Sequence, residues 1–456
     1  MMNSAEDLEI LKVIEASLME RWPESQIDPS LERIAPLVDA LGSPQLSFPT
    51  IHIGGTNGKT STSRMIDALL TELDYRTGRF TSPHLESFLE RISIKGSQIS
   101  AAEFIATYND IALYLELIDA KSAVPISYFE ALTALAFVAF AEHPVDVGII
   151  EVGMGGDWDA TNVVQSAVSV LMPIGLDHTE FLGETIEEIA RTKAGIIKPE
   201  SHVVLAAQEP EVARILLEKV LEKSAIPYRE GIEFALLNRN LAVGGQLLAI
   251  KGIYGEYSDI YLPLHGSHQA ANAVIAIATV EAFAGVKLDE ELVRSAFASV
   301  VSPGRLEILH RDPTVIIDAA HNPHGAKALA QTLSTEFDFE SIFCVLGILS
   351  EKDGVGILKA LEPVVDRIVV TQSESSRALP VAQLFKEAVA VFGQDRVFQE
   401  NDLRSAITYA MEQATLINQV SDGVSAVVVT GSVVTAGSAR VILRKIGTSN
   451  EAGAGK

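Results

Sequence analysis

The segment Ile51-His52-Ile53-Gly54-Gly55-Thr56-Asn57-Gly58-Lys59-Thr60 runs from an apolar stretch through a glycine-rich turn into a helical pattern, Ser61 to Leu73. In such a turn the backbone N–H groups and the helix N-terminus form a cradle for phosphate oxygens. A lysine at its end reaches the β- and γ-oxygens, and a hydroxyl one residue later reaches Mg²⁺. Those tasks fall here to Lys59 and Thr60, with Gly55, Thr56, Asn57, Gly58 and Ser61 completing the nucleotide cradle. One departure from the general P-loop pattern stands out: Ile53 occupies the position where that pattern has its first glycine, so the turn is tighter.

Further residues belong with this loop by their placement. Glu151 closes the apolar run from Asp146, and a carboxylate at the C-terminal end of a strand beside a P-loop is where a sheet presents an Mg²⁺ ligand. The glycines that follow, Gly153, Gly155 and Gly156, do not have dinucleotide-fingerprint spacing. His268 and Asn272 share a helix face, with Gln269 beside them. Asp318 and His321 follow an apolar run, and no Gly-x-Ser-x-Gly elbow accompanies them, so serine-hydrolase chemistry is unsupported. Read alone, His178 is an ordinary packed or exposed histidine and Lys193 a surface helix lysine.

The elements that must position these residues follow from periodicity. Leu8, Leu11, Ile14 and Leu18 mark an amphipathic helix that starts near Ser4 and ends before Pro23. From Phe48 onward, short apolar runs alternate with helical stretches, the pattern of a parallel sheet with crossover helices. The predicted strands are 50–53, 146–151, 169–174 and 202–206, with a helix over 185–193 and a buried helix around 131–141. After Ser302-Pro303-Gly304 a second series follows, with predicted strands at 314–317, 342–346, 367–371 and 426–430. Gly-punctuated alternation over 237–261 predicts a hairpin appendage. The fold class expected is therefore α/β: a P-loop parallel-sheet ATPase domain over residues 1–301, then a smaller Rossmann-like domain over 302–446. Residues 447–456, rich in Gly and Ala, are expected as a disordered tail.

Composition narrows the partners. At 456 residues, with 48% hydrophobic and 21% charged residues, the chain is a globular protein of more than one domain. Its 35 basic and 60 acidic residues give a net charge of -25, opposite to the electrostatic footprint of a nucleic-acid or anionic-membrane binder. A small basic pocket for an anionic substrate remains compatible with that average. The single cysteine, Cys344, excludes an intrachain disulfide, and its apolar flanks place it in a core. The acidic Met1 to Glu9 lacks a basic region followed by an apolar run, so no secretory signal is expected and the address read is cytoplasmic.

The tight Gly55-Thr56-Asn57-Gly58-Lys59 loop resembles that of the ATP-dependent Mur-type ligases and, within them, the folylpolyglutamate and dihydrofolate synthases. The likeness covers most of the chain. Residues 31–45 resemble the lead-in to that loop, and Thr81-Ser82-Pro83-His84-Leu85 with Glu90-Arg91-Ile92 is similar to the segment that separates folate-type members from cell-wall enzymes. Residues 152–162 resemble the family's glycine-rich turn, although Asp157-Trp158 stands where folate enzymes carry a basic residue. Asp318-Ala319-Ala320-His321-Asn322-Pro323 looks like the family's Asp-Gly-Ala-His-Asn-Pro segment. The resemblance implies that Ser82, Glu151 and His178 hold Mg²⁺, that Lys193 carries a carbamate, and that His268, Gln269 and Asn272 meet adenine. It further implies that Arg305 swings to the γ-phosphate, while Asp318 and His321 contribute to ribose and phosphate contacts and align the incoming amino acid. The activity implied is an ADP-forming ligase that joins a folate or dihydropteroate carboxylate to L-glutamate through an acyl phosphate, with ATP and Mg²⁺, in a monomer. Two alternatives stay open at this point: a Mur-type ligase acting on another carboxylate, and a P-loop nucleotide switch.

Overall fold

The computed structural model describes residues 5–22, 28–421 and 423–453. Two mixed sheets organise it. The first has the strand order β4-β3-β2-β5-β1-β6-β7-β8. These strands are β1 Thr50–Gly54, β2 Thr77–Phe80, β3 Ile92–Ile94, β4 Ser97–Gln98, β5 Val147–Glu151, β6 Ser166–Leu171, β7 His202–Leu205 and β8 Ile226–Arg229. Strand β1 lies between β5 and β6, parallel to both, and every residue of β1 and β5 is buried. A strand covered on both faces is predominantly apolar, which is why these runs were readable as hydrophobic stretches despite the buried Thr50, His52 and Glu151. Strands β2, β3, β4 and β8, of which β4 and β8 are the sheet edges, were not predicted, being short and carrying Gly, Arg, Ser or Pro.

The expected hairpin is a three-stranded antiparallel sheet, in the order β11-β10-β9, made of β9 Ala235–Ala242, β10 Gly245–Lys251 and β11 Glu256–Leu262. The second large sheet has the order β12-β13-β17-β14-β15-β16. It is built from β12 Glu307–Arg311, β13 Thr314–Ile317, β14 Ser341–Leu346, β15 Arg367–Val370, β16 Val397–Gln399 and β17 Ser425–Thr430. Strand β12 pairs antiparallel to β13 and the others are parallel. The chain thus forms two α/β domains, the second smaller, each around its own apolar clusters.

The first helix spans Ala5–Met19, with Leu11, Ile14 and Leu18 buried and Leu8 exposed; Ser4 and Pro23, its expected bounds, lie outside the described residues. The buried apolar stretch is the helix Tyr128–Glu142, capped by Ser127 with Glu130. Cys344 is fully buried in β14, and burial pushes its thiol up to about 12. The tail expected over 447–456 is corrected in part: the helix Val433–Gly453 carries residues 447–453, and 454–456 lie outside the described residues. An uninterrupted hydrogen-bonded ladder continues where composition alone reads as tail, because elongating a helix costs far less than starting one. Among the described residues no helix is long and apolar enough to cross a membrane.

Candidate active site

The P-loop follows β1 and delivers its residues to the mouth of a cavity of about 230 Å³ between the two domains. Two of its glycines are obligatory. Gly55 has φ +129 and Gly58 φ +87, and a Cβ at Gly58 would also meet the Asn272 side chain and Met172. Lys59 Nζ folds back to donate to Gly55 O at 3.1 Å and Thr56 O at 3.2 Å. Burial lowers its pKa from the usual lysine range, with the Glu151 and Asp177 carboxylates opposing that shift.

Thr60, the second residue of the helix Lys59–Glu72, donates through its Oγ1 to Glu151 Oε1 at 2.9 Å. The other carboxylate oxygen, Oε2, is buried with no hydrogen-bond partner among the described residues. Burial raises the Glu151 pKa, while Lys59 and the Thr60 hydroxyl pull the other way. An orphaned carboxylate oxygen beside hydroxyl groups suits a hard, oxygen-seeking cation, and Mg²⁺ keeps several of its own waters or takes phosphate oxygens rather than a full protein cage. Among the described residues no three His, Cys, Asp or Glu side chains come together as a metal cluster. The residues that fit are Glu151, Thr60 and Ser82, all on the cavity wall.

His178 also lines the cavity, in left-handed backbone at φ 51, and its Nε2 sits 3.4 Å from Lys352 Nζ and 3.8 Å from Asp177 Oδ1. Burial and Lys352 hold it neutral, with a pKa of about 4. Lys193, on the helix Ile186–Ala194, is buried and donates to Gly55 O at 3.1 Å. Burial first, then the Lys59 charge, lowers its pKa to about 7. What positions it is the glycine-rich turn: a Cβ on Gly156 would fall 2.8 Å from Lys193 Cα, and Asn162 Nδ2 bonds Gly195 O at 3.2 Å. That turn is tied in its own right by the buried Asp159, which accepts from Met154 N at 2.8 Å and Thr161 N at 2.9 Å. Asp159 has no role in the sequence reading, although an Asx turn after a glycine run is a legible signal.

On the opposite wall, His268, Gln269 and Asn272 line the same cavity from the helix Ser267–Ala284. Gln269 and Asn272 are buried, and Asn272 Nδ2 donates to Gln269 Oε1 at 3.1 Å. Ser61, at the loop, pairs with Ser302 of the linker at 3.0 Å. Arg305 reaches the cavity with no hydrogen bond or ion pair to its guanidinium among the described residues. Its backbone is set by Asp318, whose carboxylate accepts Leu306 N and Ala320 N, each at 2.9 Å. Leu306 is buried at φ 48, a conformation that costs a residue with a Cβ about 1–2 kcal/mol. Asp318 therefore holds a strained linker that aims Arg305, and its own oxygens are engaged by backbone. His321 Nδ1 lies 3.0 Å from Ala319 O, and burial and Lys352 keep the ring neutral, its pKa about 4.

The contact least visible in the sequence joins the two domains. Lys352 Nζ donates to Asp177 Oδ1 at 2.8 Å, both side chains being about nine-tenths buried. Burial raises the Asp177 pKa, but Lys352, His178 and His321 together outweigh it and hold the carboxyl well below its usual range. Asn322 Nδ2 bonds Asn57 and Asp177 alongside, at 3.2 and 3.3 Å, so the P-loop itself touches the second domain.

Comparison with known proteins agrees with this geometry. The Mur ligase middle domain matches residues 53–280 and the Mur ligase glutamate ligase domain matches 304–447. The dihydrofolate synthase/folylpolyglutamate synthase of Mycobacterium tuberculosis is 52% identical over 96% of this chain and 94% of its own length. The chain belongs to the folylpolyglutamate synthase/dihydrofolate synthase family. A solved structure of the mycobacterial family member, complexed with ADP, superposes with a TM-score of 0.93 over 96% of this chain and 99% of that one. Escherichia coli FolC, in complex with DHPP and ADP, has a TM-score of 0.83 at 29% identity, covering 95% of this chain and 98% of its own. This family membership removes the P-loop switch from consideration and makes the cell-wall branch of the Mur ligases the poorer fit.

Proposed function

We propose that this protein is an ADP-forming ligase that joins the carboxylate of dihydropteroate or of a reduced folate to L-glutamate, acting as both dihydrofolate synthase and folylpolyglutamate synthase. The observation that carries the reading is one cavity lined from both sides: the P-loop with Glu151 on the first domain, and Asp318 to His321 on the second. ATP lies with its phosphates on Gly55 to Ser61 and its base toward His268, Gln269 and Asn272. A substrate carboxylate oxygen attacks the γ-phosphorus and ADP leaves. The glutamate nitrogen then attacks the acyl carbon, the C–O bond to phosphate breaks, and the nitrogen loses its proton. Lys59 and Arg305 neutralise charge on the transferred phosphoryl group, the main demand of such a step. Thr60, Ser82 and Glu151, with His178 in reach, would hold Mg²⁺, which supplies further charge neutralisation at the phosphate oxygens.

Lys193 fits a carbamate, since an amine with a pKa of about 7 is substantially unprotonated at neutral pH, the form that reacts with CO₂. The neutral His321 offers a hydrogen-bond acceptor to the incoming amine. Closure of the two domains shields the acyl phosphate from water. The division we adopt is residues 1–301 and 302–446, in a cytoplasmic monomer. ADP release by the purified protein with each acceptor tests the reading, with Lys59→Ala as the control that must fall silent.

A further inference from the structure

The P-loop helix carries a second cation that the chemistry above does not use. Arg64, one turn beyond Thr60, is largely buried, yet no hydrogen bond or ion pair reaches its guanidinium among the described residues, and its Nε is buried without a partner. The Glu90, Asp67 and Glu151 carboxylates act on it electrostatically, and the first two are committed elsewhere. Asp67, its i+3 neighbour, is committed to Arg79 Nε at 3.0 Å and to the Thr77 hydroxyl. Glu90 is spent on three backbone amides, those of Leu85, Glu86 and Ser87, each at 3.0 Å. Burial and the nearby Arg79 charge lower the Arg64 pKa to about 10, still a full cation at neutral pH. A buried charge left unpaired is costly, and proteins tolerate one where a ligand completes it.

Arg64 lines a side chamber of about 30 Å³ with Thr60, Thr81, His84, Arg305 and Val433. Thr60 and Arg305 also line the main cavity, so the chamber opens beside the place where the γ-phosphate sits, and Val433 closes it from the second domain. About 10–15 Å³ of such volume holds one water, so the chamber takes two water-sized groups, the bulk of the two oxygens of a carboxylate. Among the described residues, neither cation on its wall, Arg64 or Arg305, has a hydrogen-bond or ion-pair partner for its guanidinium. Planar guanidinium matches carboxylate in a two-point contact.

We propose that Arg64 is the carboxylate-binding residue of a subsite beside the reacting acyl group, completed by a carboxylate of the substrates. This rests on the ligase reading given above. Two sources supply that chemistry: a carboxylate of the incoming glutamate, and the free α-carboxylate of a folate that already carries glutamate. Dihydropteroate has only the carboxylate that reacts, which separates the two.

The test compares full-length wild type with Arg64→Met and Arg64→Lys, measuring KM for glutamate and for each acceptor by ADP release, ADP affinity by calorimetry, and the thermal unfolding midpoint. Losing a charge-assisted hydrogen bond raises KM about ten- to hundredfold. With the incoming amino acid as the occupant, Arg64→Met raises the glutamate KM by that factor with both acceptors. With the folate α-carboxylate as the occupant, the folate KM rises and the dihydropteroate kinetics keep their wild-type values. Either result upholds the subsite, provided that ADP affinity is unchanged and the unfolding midpoint is not lowered, and Arg64→Lys falls between the two proteins. All KM values within twofold of wild type, or a parallel loss of ADP affinity, overturns it. If Arg64→Met does not fold, the KM values of Arg64→Lys decide by the same rule. A wild-type protein inactive with both acceptors defeats the ligase reading instead, which no Arg64 result can mimic.

Discussion

Gly437 lies buried in the helix Val433–Gly453, where the loop that carries Leu85 docks against it. A Cβ added there would overlap the Leu85 carbonyl oxygen and come within 2.9 Å of its carbon, both rigid backbone atoms. The Gly437 backbone is not in the left-handed region, so alanine meets no conformational penalty. The same loop contact includes Leu85 against Gly304, and Arg440 bridging Glu86 and Glu307. Gly437→Ala therefore divides two effects that usually travel together. In the helix it gains about 0.5–1 kcal/mol of intrinsic stability, docked or not. In the docked state, overpacking against backbone costs about 1–3 kcal/mol. The docking equilibrium should thus shift by about 5- to 150-fold, while the second domain unfolds no earlier. Steady-state kinetics give the first number and calorimetry the second. The expected pattern is a drop in kcat/KM for glutamate, by at most that factor, with an unfolding midpoint equal to or above wild type. Wild-type kcat/KM in a folded Gly437→Ala protein would refute the claim that this docked loop belongs to the working state.

Three further outcomes follow from the site. Removing one partner of the buried Lys352–Asp177 pair leaves an unpaired charge worth about 3–5 kcal/mol, so Lys352→Met should destabilise the protein in denaturant unfolding, and Lys352→Met with Asp177→Asn should recover most of the loss. Asp318→Ala frees the strained Leu306 and the aim of Arg305; kcat should fall about 10- to 100-fold while ADP affinity, measured by calorimetry, stays near wild type. For Lys193 the folded pKa is depressed from its ordinary 10.5 to about 7, so the unfolded chain binds the extra proton between those values and stability rises with pH across them. In bicarbonate-free buffer, Lys193→Met should flatten that rise, a slope read from denaturant midpoints at several pH values.

The buried parts of the fold were the legible parts. Strand β13 spans Thr314–Ile317 as predicted, and β14, β17 and β7 begin or end within one residue of expectation, since strands covered on both faces leave unbroken apolar runs. The shortest strands were not legible: β3, β4 and β16 are only two or three residues long, too short for periodicity to register. Within the site, Lys59, Thr60 and Glu151 could be placed from strand and loop logic, because their chemistry is local to one turn and one strand end. Lys352 could not, since nothing near Ser350 to Asp353 shows that it will meet Asp177 across the domain gap. Arg64 reads on the sequence as an ordinary helix arginine with Asp67 as its i+3 partner. Only the structure shows that Asp67 turns to Arg79, so that among the described residues no ion pair reaches Arg64.

The proposed function rests on the coupling of ATP cleavage to amide formation in the cavity between the two domains. Its most direct measurement is ADP release alongside mass analysis of the acceptor, with ATP, Mg²⁺ and glutamate, using dihydropteroate and tetrahydrofolate in parallel. One ADP is expected per glutamate added, with both acceptors, and none when either glutamate or the acceptor is omitted. Steady ATP hydrolysis that needs neither substrate and leaves both acceptors unextended would contradict it.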